Sequence, residues 1–467
     1  MAGLKLKAGL AVLALGAVAV LAVALVTSQP NLPPDLALKA TPQPHHTATG
    51  FKNNYVESIN RPFSDLLRWR WAAWKADLPP AARNRTPVQA PDLAFLNGNR
   101  GLHMQPSVTW IGHATALVQT NGLNVLTDPI FSNRASAVQW IGPQRAQPPG
   151  ILLQNLPPID VVVISYNHYD HLDKDSVLAL DARSKAASAN GGGQTLFLVP
   201  LGQKAWFNAL GIHRVVELDW WQGVRVVRGP GVGAARGAAG DPAGGALQIS
   251  ALHFAPPTAN VTAEAPTSVI NAPSGLNAIN PSTTPPIAEV GADFYLTPVQ
   301  HWSARSINDR SRTLWGGWSV LSPQLNWYFS GDTGYSPDFA DTRRRLGPLA
   351  PTQAGKPKAP LFDLALLAVG AYAPRWFMAQ QHVNPAEAVQ IHQDLGAALS
   401  VGIHWGTFEL TDEPLDQPPR DLALARQAAG VADAAFVTLQ IGETRKLAPR
   451  VQHADKTPLT PPIVLYK

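Results

Sequence analysis

Six residues carry the side chains of a metal cage, and each stands where a strand would end. His168, Asp170 and His171 follow an apolar run at 159–164, His301 follows one at 294–297, Asp332 one at 327–330 and His404 one at 400–403. Short runs rich in β-branched and aromatic residues read as buried strands. A rigid sheet can hold imidazole and carboxylate ligands at about 2 Å from an ion. Four imidazoles and two carboxylates can serve two adjacent divalent ions, with Asp332 as the natural bridge. The chain has Cys 0, so thiolate ligands, thiolate nucleophiles and disulfides are excluded. Zinc is the first choice for such a donor set, and iron or manganese also suit it. One or two ions per chain are expected.

The elements that must position these residues follow from the surrounding pattern. Strands are expected at 108–111, 116–118 and 123–126, the last two joined by the tight turn Asn121-Gly122. Further strands are expected at 196–199, 215–218, 318–321 and 364–368, and helices at 175–185, 203–210 and 385–395. Pro385 at the start of the last helix and Glu387 in its first turn suit helix N-terminal chemistry. Segment 63–74 has the pattern of a short amphipathic helix, with packing on the body as its expected role and lipid contact as the alternative. The segments 229–245 and 256–290 hold too little apolar surface for a core and read as loop insertions. Strands with intervening helices imply a layered α/β body of two packed sheets with helices outside.

The N-terminus has a different texture. Lys5 and Lys7 precede an unbroken apolar run at 8–26, long enough to span a bilayer as a helix. Basic residues ahead of the run place the body outside the cytoplasm, on the periplasmic side of an inner membrane. An uncleaved signal anchor over 1–28 is the first reading, and a cleaved signal peptide, giving a secreted or periplasmic body, is the second. A Pro- and Ala-rich linker and extension at 29–99 follow, then a catalytic domain at 100–445 and a polar tail at 446–467. The formal net charge of +5 comes without a Lys/Arg run, which speaks against nucleic acid as a partner.

Several stretches carry a resemblance to a known family. They are TWIGHAT at 109–115, LTDPIF at 126–131, NHYDHLD at 167–173, LWGGWS at 314–319, SGDTGY at 330–335, GAYAPRWFM at 370–378 and IHWGTF at 403–408. In this order they resemble the metallo-β-lactamase fold superfamily, and within it the branch of phospholipases D that hydrolyse N-acyl-phosphatidylethanolamine. The resemblance implies an αββα sandwich, two mixed sheets packed face to face with helices on the outer faces. It also implies that His168 and His301 belong to a first metal site, that Asp170, His171 and His404 hold a second, and that Asp332 bridges them. His113 and Asp128 are then residues that orient the site, and His382 lies on a loop close to it. Asp332, Asp170 and His382 are the residues expected to act in catalysis.

One position departs from the superfamily pattern His-x-His-x-Asp-His. Its first residue is Tyr166. A phenol can ligate as phenolate, although its ordinary pKa near 10 opposes this unless the metal lowers it. Three outcomes are open: a filled second site beside a weak first one, coordination by Tyr166, or loss of catalysis. The resemblance implies hydrolysis of a phosphodiester in an N-acylated membrane phospholipid. Arg305 and Arg375 are expected to meet phosphate, with Arg310 and Arg312 near them, and Trp302 to line an acyl groove. Opening of a lactone or another ester of a small molecule is the enzymatic alternative, and a membrane-held binding or structural body the other. Oligomeric state is not legible in the sequence.

Overall fold

The computed structural model describes residues 43–57, 59, 61–76, 86–189, 194–229, 246–252, 290–349 and 360–450. The expected membrane anchor at 8–26 and most of the two expected insertions lie outside them. Among the described residues no helix is long and apolar enough to cross a membrane.

Two short strands, β1 (His46–Thr47) and β2 (Gly50–Phe51), form a hairpin ahead of the body. The first large sheet then takes β3 (Ser107–Gly112), β4 (Thr115–Thr120), β5 (Leu123–Thr127), β6 (Val161–Val163), β7 (Leu196–Pro200) and β8 (Val215–Leu218). The second holds β9 (Gly223–Arg228), β10 (Leu247–Leu252), β11 (Gly291–Thr297), β12 (Gly317–Leu321), β13 (Trp327–Phe329), β14 (Phe362–Ala368), β15 (Ala397–Ile403) and β16 (Phe436–Thr438). A last strand, β17 (Thr444–Lys446), returns to the first sheet and pairs antiparallel with β3. The polar tail expected from residue 446 therefore begins inside an edge strand.

Each sheet changes from antiparallel to parallel pairing part-way across. Strands β5 to β8 run parallel in the first sheet, and β13 to β16 in the second. Open sheets of this kind bind ligands at the carboxyl ends of their parallel strands. Both sheets are buried on the faces they share. Trp110, Val118 and Val125 of the first sheet and Phe294, Trp318 and Tyr328 of the second belong to one apolar core. A smaller core, with Leu117, Leu126, Val162 and Phe197, lies with Val177 and Leu180 of helix Lys174–Ala189 and Phe207 of helix Lys204–Ala209. On the second sheet, helices Asp338–Leu346 and Pro385–Leu395 bury Phe339, Leu346, Val389 and Ile391. The architecture is the expected four-layered αββα sandwich.

Local sequence accounts for the elements nearest the site. Strand β6 is shorter than its apolar run because Asp160 is taken up elsewhere. Its carboxylate accepts from the Asn124 backbone N–H at 2.8 Å and pairs with Arg228, which is how a charge is tolerated at this depth. Helix Pro385–Leu395 starts where predicted, closed by a capping box between Asn384 and Glu387 and ended by Gly396 in the left-handed conformation.

At the start of helix Asp338–Leu346 a buried acid gives a pH-dependent prediction. Asp338 accepts hydrogen bonds from Asn54 Nδ2 and Ser336 Oγ, both at 2.7 Å, and burial pushes its carboxyl up to about 6. Because the folded value exceeds the unfolded one, its contribution is full below pH 4 and is lost as pH rises through 6. Relative to the parent, the Asp338→Asn variant should gain about 3 kcal/mol between pH 4 and pH 8. Urea unfolding of both proteins at a series of pH values checks this.

Candidate metal centre

The loops at the carboxyl ends of both sheets meet at one place. His113 follows β3, Asp128 follows β5, and His168, Asp170 and His171 follow β6. From the second sheet, His301 follows β11, Asp332 follows β13, the loop after β14 carries His382, and His404 follows β15. Backbone constraint accompanies the chemistry. His113, Asp128 and His404 have φ of 54°, 31° and 62°, values that non-glycine residues adopt only where their surroundings impose them. Gly331, beside Asp332, has φ of 56°, and a Cβ there would stand 2.5 Å from that of Ser165. Only glycine fits that turn.

Among the described residues, His113, Asp170, His171 and His404 bring one ligand atom each within 4.8 Å of one another. His171 Nε2 lies 3.3 Å from Asp170 Oδ2 and 3.2 Å from Asp332 Oδ2. His404 Nε2 lies 3.5 Å from Asp170 Oδ2 and 3.1 Å from Asp332 Oδ1. Close as they are, His171 Nε2, His404 Nε2 and Asp332 Oδ1 are buried and make no aligned hydrogen bond. Separations near 3 Å with lone pairs aimed at a common point rather than at each other suit ligands of one ion bound at about 2 Å. Asp170, His171, His404 and Asp332 thus fit a divalent metal.

Their supports are equally specific. Asp128 Oδ2 accepts from His171 Nδ1 at 2.6 Å, which leaves Nε2 for the metal, and Asp128 is itself held by the Ser165 backbone N–H at 2.7 Å. His113 Nε2 lies 2.9 Å from Asp170 Oδ2. Asp128 and His113, the residues expected to orient the site, thus touch His171 and Asp170. His301 Nδ1 donates to the Gln381 carbonyl at 2.9 Å, so its Nε2 lone pair also faces inward.

Electrostatics match a cation. Burial alone would raise both Asp170 and Asp332, yet the neighbouring histidines hold their carboxyls well below the usual range. His404 is pushed up to about 9: burial opposes its charge, but Asp332 and the contacts with Asp170 outweigh it. His168 is driven down to about 3 and His382 to about 4, chiefly by burial, so both imidazoles are neutral. Tyr166 is pushed well above 10 by burial and by the Asp332 charge.

Two of the three expected substrate contacts are placed otherwise. Arg305 is buried, and its guanidinium donates to the Asn167 and Leu172 carbonyls at 2.8 Å each, which fixes the ligand loop. Arg375 pairs with Glu387 at 2.7 Å and donates to the His382 carbonyl at 2.7 Å. Both are anchored in structural bonds instead of facing phosphate. Trp302 does reach the site, its ring 4.4 Å from that of His168 and its Nε1 donating to Gln381 Oε1 at 2.7 Å. His382 arrives with Nδ1 buried and 3.7 Å from Asp332 Oδ2.

Sequence reasoning missed Asn53. Its Nδ2 donates to the His301 carbonyl at 2.9 Å, and its Oδ1 accepts from the His301 N–H at 3.0 Å and from Trp315 Nε1 at 3.1 Å. No motif marks it, because the contact spans 248 positions of sequence. The hairpin before it is latched by His45 and His46, whose Nε2 atoms meet the two oxygens of Asp219 at 2.7 and 2.8 Å. Asn53→Ala leaves buried backbone groups of His301 unpartnered. We expect about 2 kcal/mol of lost stability and roughly tenfold lower turnover, read by urea unfolding and steady-state kinetics.

A family model described as a β-lactamase superfamily domain matches residues 123–270 and 248–405. The chain belongs to the metallo-β-lactamase superfamily. Within it the chain is similar to an N-acyl-phosphatidylethanolamine-hydrolyzing phospholipase D 1 of Caenorhabditis elegans, 32% identical over 345 residues that cover 72% of this chain and 74% of that one. It is also similar to a mitochondrial N-acyl-phosphatidylethanolamine-hydrolyzing phospholipase D of Saccharomyces cerevisiae, 26% identical over 80% of this chain and 64% of that one. Among solved structures, a possible metal-dependent hydrolase from Veillonella parvula aligns with a TM-score of 0.44 and 12% identity, covering 73% of this chain and 100% of that one. This member of the metallo-β-lactamase superfamily is a metal-dependent hydrolase.

Proposed function

We propose that the enzyme hydrolyses the phosphodiester of N-acylated phospholipids, releasing phosphatidic acid and an N-acylethanolamine. The observation that carries this is the inward convergence of Asp170, His171, His404 and Asp332, in a chain 32% identical to a phospholipase D named for that substrate. A bound divalent ion, with zinc first and iron or manganese also suited, supplies Lewis acidity and a charge that favours hydroxide over water at neutral pH. The residues supply the rest. Asp128 and His113 hold His171 and Asp170 in register, and Arg305 fixes the loop on which they ride. His382, neutral and at the rim, is placed to accept the proton released by the attacking water and pass it to the departing oxygen.

Access from a bilayer supports the same reading. Helix Phe63–Lys75 exposes Phe63, Leu67, Trp71 and Trp74, interleaved with Arg68, Arg70 and Lys75. Only Trp69 is buried; it packs on Phe377 with ring centroids 5.0 Å apart and donates to Asp412 Oδ1 at 2.9 Å. The expectation that this helix mainly packs on the body thus holds for one residue, and the rest has the composition of an interfacial helix. It sits beside the loop that leads to His382. We place the apolar run at 8–26 in the membrane as an uncleaved anchor, with the body outside the cytoplasm.

The deciding experiment incubates the purified full-length, metal-loaded chain with N-palmitoyl-phosphatidylethanolamine vesicles and follows N-palmitoylethanolamine by mass spectrometry, beside a lactone panel. Release of the ethanolamide supports the proposal; hydrolysis of lactones alone replaces it. Serine at Leu67, Trp71 and Trp74 together should lower kcat/KM on vesicles at least tenfold while sparing a short-chain soluble substrate.

A further inference from the structure

The first metal site of the superfamily does not survive the same fit test. Its expected ligands are His168, His301 and the bridging Asp332, and none of the three is in the converging group His113, Asp170, His171 and His404; Asp332 alone reaches that group, at 3.2 Å from His171 Nε2 and 3.1 Å from His404 Nε2. Tyr166 stands among them. Its ring centroid is 4.5 Å from that of His168, 4.5 Å from that of His301 and 4.4 Å from that of His171. A phenol reaches further from its Cβ than an imidazole nitrogen does, so the hydroxyl passes beyond the place a ligand atom would take. It meets the carboxylate instead, donating to Asp332 Oδ2 at 2.6 Å. The Nε2 atoms of His168 and His301 remain buried without a hydrogen-bond partner in the protein.

We propose that the centre works with a single divalent ion, held by Asp170, His171, His404 and Asp332, and that Tyr166 replaces the first ion by holding Asp332 through its hydroxyl. Asp332 is therefore a terminal ligand and no longer a bridge. One of its oxygens takes the Tyr166 hydrogen bond, where a cation would otherwise sit, and the other faces His404. Tyr166 is a positioning residue. It keeps the carboxylate aimed at the remaining ion and keeps a second ion out. His168 and His301, each with Nε2 unpartnered, then line the metal-free half, where His301 Nε2, the unprotonated nitrogen of its tautomer, can accept a hydrogen bond from a water or a substrate hydroxyl.

The inference rests on the metal-dependent hydrolase reading of the site but not on its substrate, so the test reads metal and not turnover. The full-length chain is purified, equilibrated with excess Zn2+ and desalted, and its zinc is measured by elemental analysis. The parent should hold one equivalent and the Tyr166→His variant two. His301→Ala should keep one equivalent, whereas His404→Ala should fall to well under a half. Tyr166→Phe, which keeps the ring but not the hydroxyl, should still hold one ion, about tenfold more weakly in a competitive chelator titration. Two equivalents in the parent, or loss of zinc on removing His301, overturns the proposal. Circular dichroism of each variant separates loss of metal from loss of fold. Failure on N-acylated phospholipid with one zinc bound would count against the proposed substrate and leave this inference standing.

Discussion

Replacing Asp170 with alanine should lower kcat/KM by about a thousandfold, because the ion would lose its only carboxylate from the first sheet and several kcal/mol of charge stabilisation with it. Asp170 Oδ2 is the atom around which His113, His171 and His404 gather, at 2.9, 3.3 and 3.5 Å. Without it the two imidazoles that face the ion keep Asp332 alone as a counter-charge. Zinc content should fall with the rate, and Asp170→Asn should rescue neither, since the amide fills the space but carries no charge. Steady-state kinetics on any substrate the enzyme accepts, beside elemental analysis, checks both halves. A variant that keeps full zinc content would show that His404, His171 and Asp332 suffice.

The second large effect is on the fold. Arg305→Met should destabilise the protein by about 3–4 kcal/mol, read by urea unfolding, with weaker zinc retention in the surviving folded fraction. The guanidinium donates to two carbonyls of the ligand loop and lies over the rings of Tyr169 and Trp206, 4.2 and 4.9 Å from their centroids. Methionine can fill the space but leaves both carbonyls buried and unpartnered. An arginine that merely bound phosphate would give the opposite split: unchanged stability and a raised KM.

The contrast shows what the sequence carried and what it did not. The cluster of His and Asp at the centre was legible because each member sits just past a strand whose apolar run is local, and because short motifs keep their residues together. His113, Asp128 and His382 came from such motifs. The role of Arg305 was not legible, since a buried arginine and a substrate-facing one look alike until the carbonyls around them are placed. Asn53 lies in the N-terminal extension and reaches His301 only through tertiary contact. Strands β9 and β10 escaped notice because the first alternates Val with Arg and the second is mostly exposed. Helix Asp338–Leu346 was passed over because its charged stretch Arg343, Arg344 and Arg345 hides a narrow apolar face made by Phe339 and Leu346. Helix Gln417–Ala429 was missed because its two early prolines read as loop, although they stand where a helix tolerates them.

The return of β17 to the first sheet bears on how the chain is made. Among the described residues, the outer edge of β3, which leads straight to His113, is covered in that sheet by residues 444–446 and by no strand translated earlier. A ribosome therefore exposes that edge until the residues after β16 have emerged. A chain stopped after β16 would present unpaired N–H and C=O groups beside a run of buried apolar residues, a template for pairing with another copy. Closure of this edge thus waits for β17, and premature termination between β16 and residue 444 should yield aggregate and not a weakened enzyme.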